Sequence, residues 1–176
     1  MTTTDGFSRP VKVDAVPREG LLRTVEATPA ERAALAEQND LVEIAELNAR
    51  FVLKRAGNKG VSVSGALHAE VTQTCVVTLE PFPVTLDEEI DVRFAPPAEE
   101  RAGGRSEAET LTLDRDDPPD PLLGGKIDLG ALAAEFLALA LDPYPRKPGA
   151  EFTPPPETAP PESPFVALAE IAKRKG

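Results

Sequence analysis

Apolar and polar side chains alternate most clearly between Val61 and Cys75. Val61, Val63, Gly65, Leu67, Ala69, Val71, Gln73 and Cys75 fall on one side, and Ser62, Ser64, His68, Glu70, Thr72 and Thr74 on the other. A period of two is that of a half-buried strand. Its length predicts a curved or bulged strand with Gly65 as the bend. Val84 to Phe94 alternates again, with Val84, Leu86, Ile90, Val92 and Phe94 opposed by Thr85, Asp87, Glu89, Asp91 and Arg93. Pro81-Phe82-Pro83 reads as the corner between the two, and one antiparallel sheet with a wet face follows.

The same pattern predicts strands over 45–56, over 21–27 and, more weakly, over 7–16. Gly57-Asn58-Lys59-Gly60 supplies a hairpin turn, with residues suited to positive φ. Thr28-Pro29-Ala30-Glu31 opens a helix to about Gln38, with Thr28 as cap, Pro29 in the first turn and Glu31 completing a capping box. A second helix over 129–141 starts at Asp128. Leu129, Leu132, Ala133, Phe136, Leu137, Leu139, Ala140 and Leu141 nearly encircle it, which predicts a helix buried on several sides. The expected fold is α+β: a curved, partly barrel-like antiparallel sheet with this helix and the short one at 29–38 packed on it.

Composition adds an outline of the domains. Apolar residues make up 41% of the 176, and Pro reaches 19, so a core domain with long unstructured connections is expected. Residues 1–150 read as one domain, with a mobile acidic loop at about 96–121 in which Leu111 and Leu113 suggest a short edge strand. Residues 151–176 read as a Pro-rich linker and a short amphipathic segment from Phe165 to Lys175. The longest apolar run, Leu129 to Leu141, is too short to span a bilayer and contains Glu135. With no visible leader and one cysteine, the expectation is a cytoplasmic protein. The net charge of −11 is uneven: Asp87 to Asp120 holds 12 acidic and 4 basic residues. This argues against DNA or membrane partners and against non-specific nucleic-acid binding by the whole surface.

Candidate chemistry is sparse. Cys75, the only cysteine, lies an odd number of positions from His68, the only histidine, so on one strand they face apart. No second cysteine offers a zinc pair, and Cys75 reads as a buried structural residue. Glu135, on an apolar helix, reads as a buried bridge to Arg146 or to a sheet arginine. Its functional alternative is a metal-dependent hydrolase acting on RNA, with Glu135 and acidic-loop residues as ligands. Arg50, Lys54, Arg55 and Lys59, with Arg146 and Lys147, are candidates for a local patch contacting RNA or another partner; the bland reading is a solvated sheet edge. There is no phosphate loop, nucleophile elbow, zinc-protease helix or EF-hand pattern. No catalytic, cofactor-binding or metal residue is assigned. The scarcity of enzyme-like side chains favours a binding or assembly protein.

Two blocks of sequence carry a resemblance. Gln73-Thr74-Cys75-Val76-Val77-Thr78-Leu79-Glu80-Pro81-Phe82, followed by the acidic strand, is similar to the first block of the YceD family. That family is also known as the large ribosomal RNA subunit accumulation protein family. Ile127-Asp128-Leu129-Gly130, through Glu135 to Asp142-Pro143-Tyr144-Pro145-Arg146, resembles its second. The alphaproteobacterial branch is the most similar, and the resemblance spans roughly Val11 to Ala150. Cys75, Leu79, Pro81, Phe82, Asp128, Leu129, Glu135 and Pro145 are the motif positions. Many relatives carry a second cysteine where Thr78 stands, so no metal role is carried over. The resemblance implies a bacterial ribosome-biogenesis factor without catalytic residues. It would act in accumulation or processing of 23S ribosomal RNA by binding that RNA, a large-subunit ribosomal protein or a precursor particle.

Overall fold

The computed structural model describes residues 6–57, 60–96, 119–152 and 154. Five strands form one sheet in the order β2 (Leu21–Glu26), β3 (Glu43–Ala56), β4 (Gly60–Thr74), β5 (Pro81–Ala95) and β6 (Asp120–Pro121). The first four are antiparallel, whereas β6 joins β5 in parallel through Phe94 and Ala95. A separate ribbon pairs β1 (Pro10–Lys12) with β7 (Lys126–Asp128). Helix α1 (Pro29–Gln38) links β2 to β3, and α2 (Leu129–Ala140) follows β7 directly.

The alternation read from the sequence is the burial pattern observed. Leu47, Ala49, Phe51 and Leu53 of β3 join Val61, Val63, Leu67, Ala69 and Val71 of β4 in one core cluster, with Leu35 from α1 and Leu129, Leu132, Ala133 and Leu137 from α2. The opposite row of β4, from Ser62 to Thr74, contains no buried residue. The sheet therefore has one face covered by helices and one face bare.

Several expectations are corrected. The sheet is open and mixed, not partly barrel-like and wholly antiparallel; helices cover the apolar face, so burying it does not require closure. The chain at 7–16 is not one strand: after Lys12 it turns into a 3-10 helix over Val13–Ala15 that buries Val13. Pro81-Phe82-Pro83 is not the corner but the start of β5, opposite Thr74, Gln73 and Thr72. The register shift lies at Ile44/Glu46 on β3, and the pairing of β4 is regular through Gly65. Gly65 is instead required by proximity, since a Cβ there would stand 2.3 Å from the Arg50 carbonyl oxygen and 3.1 Å from the Phe51 ring. Helix α2 is buried along one stripe only, leaving Ala131, Glu135, Ala138 and Leu139 exposed. Leu111, Leu113, the rest of the acidic stretch to residue 118, and Phe165 to Lys175 lie outside the described residues.

The N-terminal segment is fastened to both helices. Thr28 and Glu31 form the predicted capping box on α1. Glu31 also takes two hydrogen bonds from the Arg9 guanidinium, at 2.8 and 3.0 Å, and Arg9 sits 5.0 Å over the Phe7 ring. Asp128 caps α2 through the Gly130 and Ala131 N–H groups and also accepts from the Ser8 hydroxyl and the Arg9 N–H. Burial pushes this carboxyl up, but those donors outweigh it and hold it below its ordinary value.

Candidate functional site

Strands β4 and β5 are joined by a tight corner, Cys75 to Glu80. The Cys75 N–H donates to the Glu80 carbonyl at 2.9 Å, and the Leu79 N–H donates to the Cys75 carbonyl at 2.9 Å. The corner also receives the chain that leaves α2. Val76 N–H bonds the Pro145 carbonyl at 2.9 Å, Gln73 Nε2 bonds the Asp142 carbonyl at 3.2 Å, and Lys147 Nζ pairs with Glu80 at 2.9 Å. The two motif blocks, some seventy residues apart in sequence, thus meet in one place.

Cys75 sits fully buried at the centre of this junction. Its sulfur accepts the Val77 and Thr78 N–H groups at 3.4 and 3.5 Å. The Thr78 hydroxyl does most to pull the thiol down; burial opposes it, and the N–H groups of Lys147, Thr78 and Val77 assist, leaving Cys75 at about 6. Thr78 is thus the residue that lowers the thiol's pKa most. His68 lies on the bare face, as the spacing predicts.

The corner's outer surface is apolar and strained. Leu79 is 76% exposed and has φ of 60°, a left-handed conformation that bulky side chains disfavour. Val76, in the same corner, is 46% exposed, and Tyr144, next to the Pro145 whose carbonyl Val76 bonds, is 73% exposed. None of the three fills the core. Among the motif positions, Phe82 and Leu129 are buried, Asp128 is the cap, Pro145 is half-buried, and Pro81 is exposed. Glu135 is exposed as well, so the expected buried bridge is not present. Among the described residues it joins no group of metal-ligating side chains.

The six cations proposed as a contact patch do not gather. Arg50 and Lys54 lie on the bare face of β3, opposite Ala66 and Ser62. Arg55 points the other way and fastens the first 3-10 turn, donating to the Val16 carbonyl at 2.7 Å and the Asp14 carbonyl at 3.1 Å. Arg146 and Lys147 belong to the corner, about 30 Å along β4 from Ala66. Lys59 lies outside the described residues.

Acidic groups do gather on the bare face. Glu46 stands opposite Glu70, and Asp87 opposite His68. Glu89 and Asp91 continue the row on β5 beside a shallow depression of ≈ 440 Å³ lined by Asn48, Arg50 and His68. His68 Nδ1 lies 2.7 Å from Asp87, whose hydrogen bond raises the imidazole's pKa against the opposing effect of burial, with the charges of Asp87, Glu46 and Glu70 adding to the rise. Ligand atoms of Glu46, His68 and Glu70 lie within 4.8 Å of one another, a spacing a divalent cation could use. The raised imidazole pKa works against that use, because a metal requires the neutral ring. This grouping was legible in principle: counting back from the 57–60 turn puts Glu46 across from Glu70. The exposure of Leu79, Val76 and Tyr144 had no such signal, since apolar residues at a strand corner read as core.

These features define an open-sheet α+β protein with one covered face, one bare acidic face and an exposed corner uniting its two sequence blocks. The sequence model of the family described as Large ribosomal RNA subunit accumulation protein YceD matches residues 63–165, and the chain belongs to that family. The match takes in β4 from Val63, the corner, β5 and α2, while β1 to β3 precede it. The family's description ties it to accumulation of large-subunit ribosomal RNA. No curated protein and no solved structure matches the chain. No described helix is long and apolar enough to cross a membrane.

Proposed function

We propose that this protein is a non-catalytic, cytoplasmic assembly factor. It supports accumulation of 23S ribosomal RNA by holding a basic large-subunit ribosomal protein during assembly. The observation that carries the choice of partner is the charge of the bare face. Glu46, Glu70, Asp87, Glu89 and Asp91 line it and outnumber Arg50, Lys54 and Arg93 on the same face, while Arg55 lies on the other face and Arg146 and Lys147 at the corner. Phosphate backbones require converging cations, whereas an acidic face favours a cationic protein surface and speeds its encounter.

The test is a deletion strain scored for precursor and mature 23S RNA, with the tagged chain used to recover its partner before and after ribonuclease treatment. The expected result is reduced mature 23S RNA and recovery of a large-subunit protein that survives ribonuclease. Recovery that vanishes with the RNA would transfer the contact to RNA, with Tyr144 and Arg146 at the corner as the first residues to mutate. Normal 23S RNA in the deletion strain would overturn the assembly role itself.

A further inference from the structure

Among the described residues, strand β5 is the longest element with an open edge, and its hydrogen bonding can be assigned residue by residue. The Cys75–Glu80 hydrogen bond continues the β4–β5 ladder, so even-numbered residues of β5 aim their backbone groups at β4. Odd-numbered residues aim theirs away. The far end agrees: the Ala95 carbonyl accepts the Leu122 N–H at 2.8 Å on the side away from β4. Pro81 and Pro83, which have no N–H, fall in the outward set, where a strand tolerates them. Thr85, Asp87, Glu89 and Asp91 therefore turn their N–H and C=O groups outward along about 20 Å of edge. No described strand pairs with them, since β6 engages only Phe94 and Ala95.

We propose that this edge is a strand-addition site for an extended segment of the partner protein carrying Lys or Arg at every second position. The proposal rests on the function above for the partner's identity. Outward backbone groups supply affinity in this mode, and alternate side chains supply specificity. Asp87, Glu89 and Asp91 lie on the bare face, opposite His68, Ala66 and Ser64. An added strand brings its alternate side chains within about 5 Å of them. Acidic residues on an edge also discourage self-pairing. The same charges that repel a second copy of β5 attract a cationic strand, so the edge is selective.

The probes are an eleven-residue peptide alternating Lys and Val, one alternating Glu and Val, and a Lys peptide of equal charge with Pro at alternate positions. Binding of the Lys-Val peptide to the full chain is expected to slow amide exchange at Thr85, Asp87, Glu89 and Asp91, and to leave Glu88 and Ile90 unchanged. Affinity is expected to fall about tenfold in Thr85→Pro, which removes one outward N–H and no charge, and about fivefold in Glu89→Gln. The Glu-Val and Pro peptides are expected not to bind. Unaltered exchange at the outward amides, or equal binding of the Pro peptide, would overturn the proposal. Either result means that any attraction is charge alone. The exchange measurement uses the unmodified chain, so it decides even if Thr85→Pro fails to fold. It also decides independently of the 23S phenotype, on which the assembly role stands or falls.

Discussion

Leu79 holds a left-handed backbone and leaves its side chain in water, so it neither relaxes the chain nor fills the core. Such strain persists where a site uses it. Leu79→Asn is expected to stabilise the protein by about 1 kcal/mol in urea unfolding, because Asn tolerates this conformation and no burial is lost. It is also expected to lower 23S accumulation in cells. A substitution that strengthens the fold and weakens the function separates a contact residue from a structural one; a loss of both would make Leu79 structural. Gly130 shows the opposite case. A Cβ there would lie 2.5 Å from the Phe7 carbonyl oxygen and 3.0 Å from the Ser8 Cα, and both are backbone atoms that cannot swing aside. Gly130→Ala, although it raises helix propensity, is expected to cost about 1–3 kcal/mol in the same measurement.

Among the elements, β4, β5 and α1 were legible because local pattern and tertiary role coincide. Period-two alternation survives where one sheet face is covered, and a Thr-Pro-x-Glu start has few alternatives to a helix. Helix α2 departs from its sequence pattern for a physical reason. Ala131 and Ala138 are small enough to sit in water at little cost, so an all-round apolar composition hides which stripe packs and makes Glu135 read as interior. A two-residue strand such as β6 has no pattern to read. Nothing local announced that Arg9 would span to Glu31 either, because that joint depends on the β1–β7 ribbon. The joint has a pH signature. Arg9 hydrogen bonding, against a smaller effect of burial and with help from Thr28, holds Glu31 down from 4.5 to about 2. A carboxyl depressed in the folded state stabilises it above the unfolded value and loses that effect as pH falls through the folded value. Unfolding free energy should therefore decline from pH 4.5 toward 2, and Glu31→Gln should flatten that limb. At neutral pH the substitution is expected to cost about 1 kcal/mol, since Arg9 remains partly exposed to water.

At the scale of the whole molecule, the core of the described residues runs from Phe7 to Leu137. Charge acts over the same range, in two opposed ways. Arg9–Glu31, His68–Asp87 and Lys147–Glu80 are attractive pairs, and salt would weaken them. Each involves an exposed partner, so solvent screening keeps its contribution small. Against them stand 30 acidic and 19 basic residues, with Glu46 placed directly across from Glu70, an arrangement that destabilises a sheet. Between 0.01 and 0.15 M salt the screening length falls from about 30 to about 8 Å. Long-range repulsion over the bare face is lost in that interval, while contacts near 3 Å are affected least. The thermal midpoint is therefore expected to rise by a few degrees over that interval. Glu70→Gln should raise it at low salt and shrink the salt effect. A midpoint that falls with salt would show that the close pairs outweigh the acidic face.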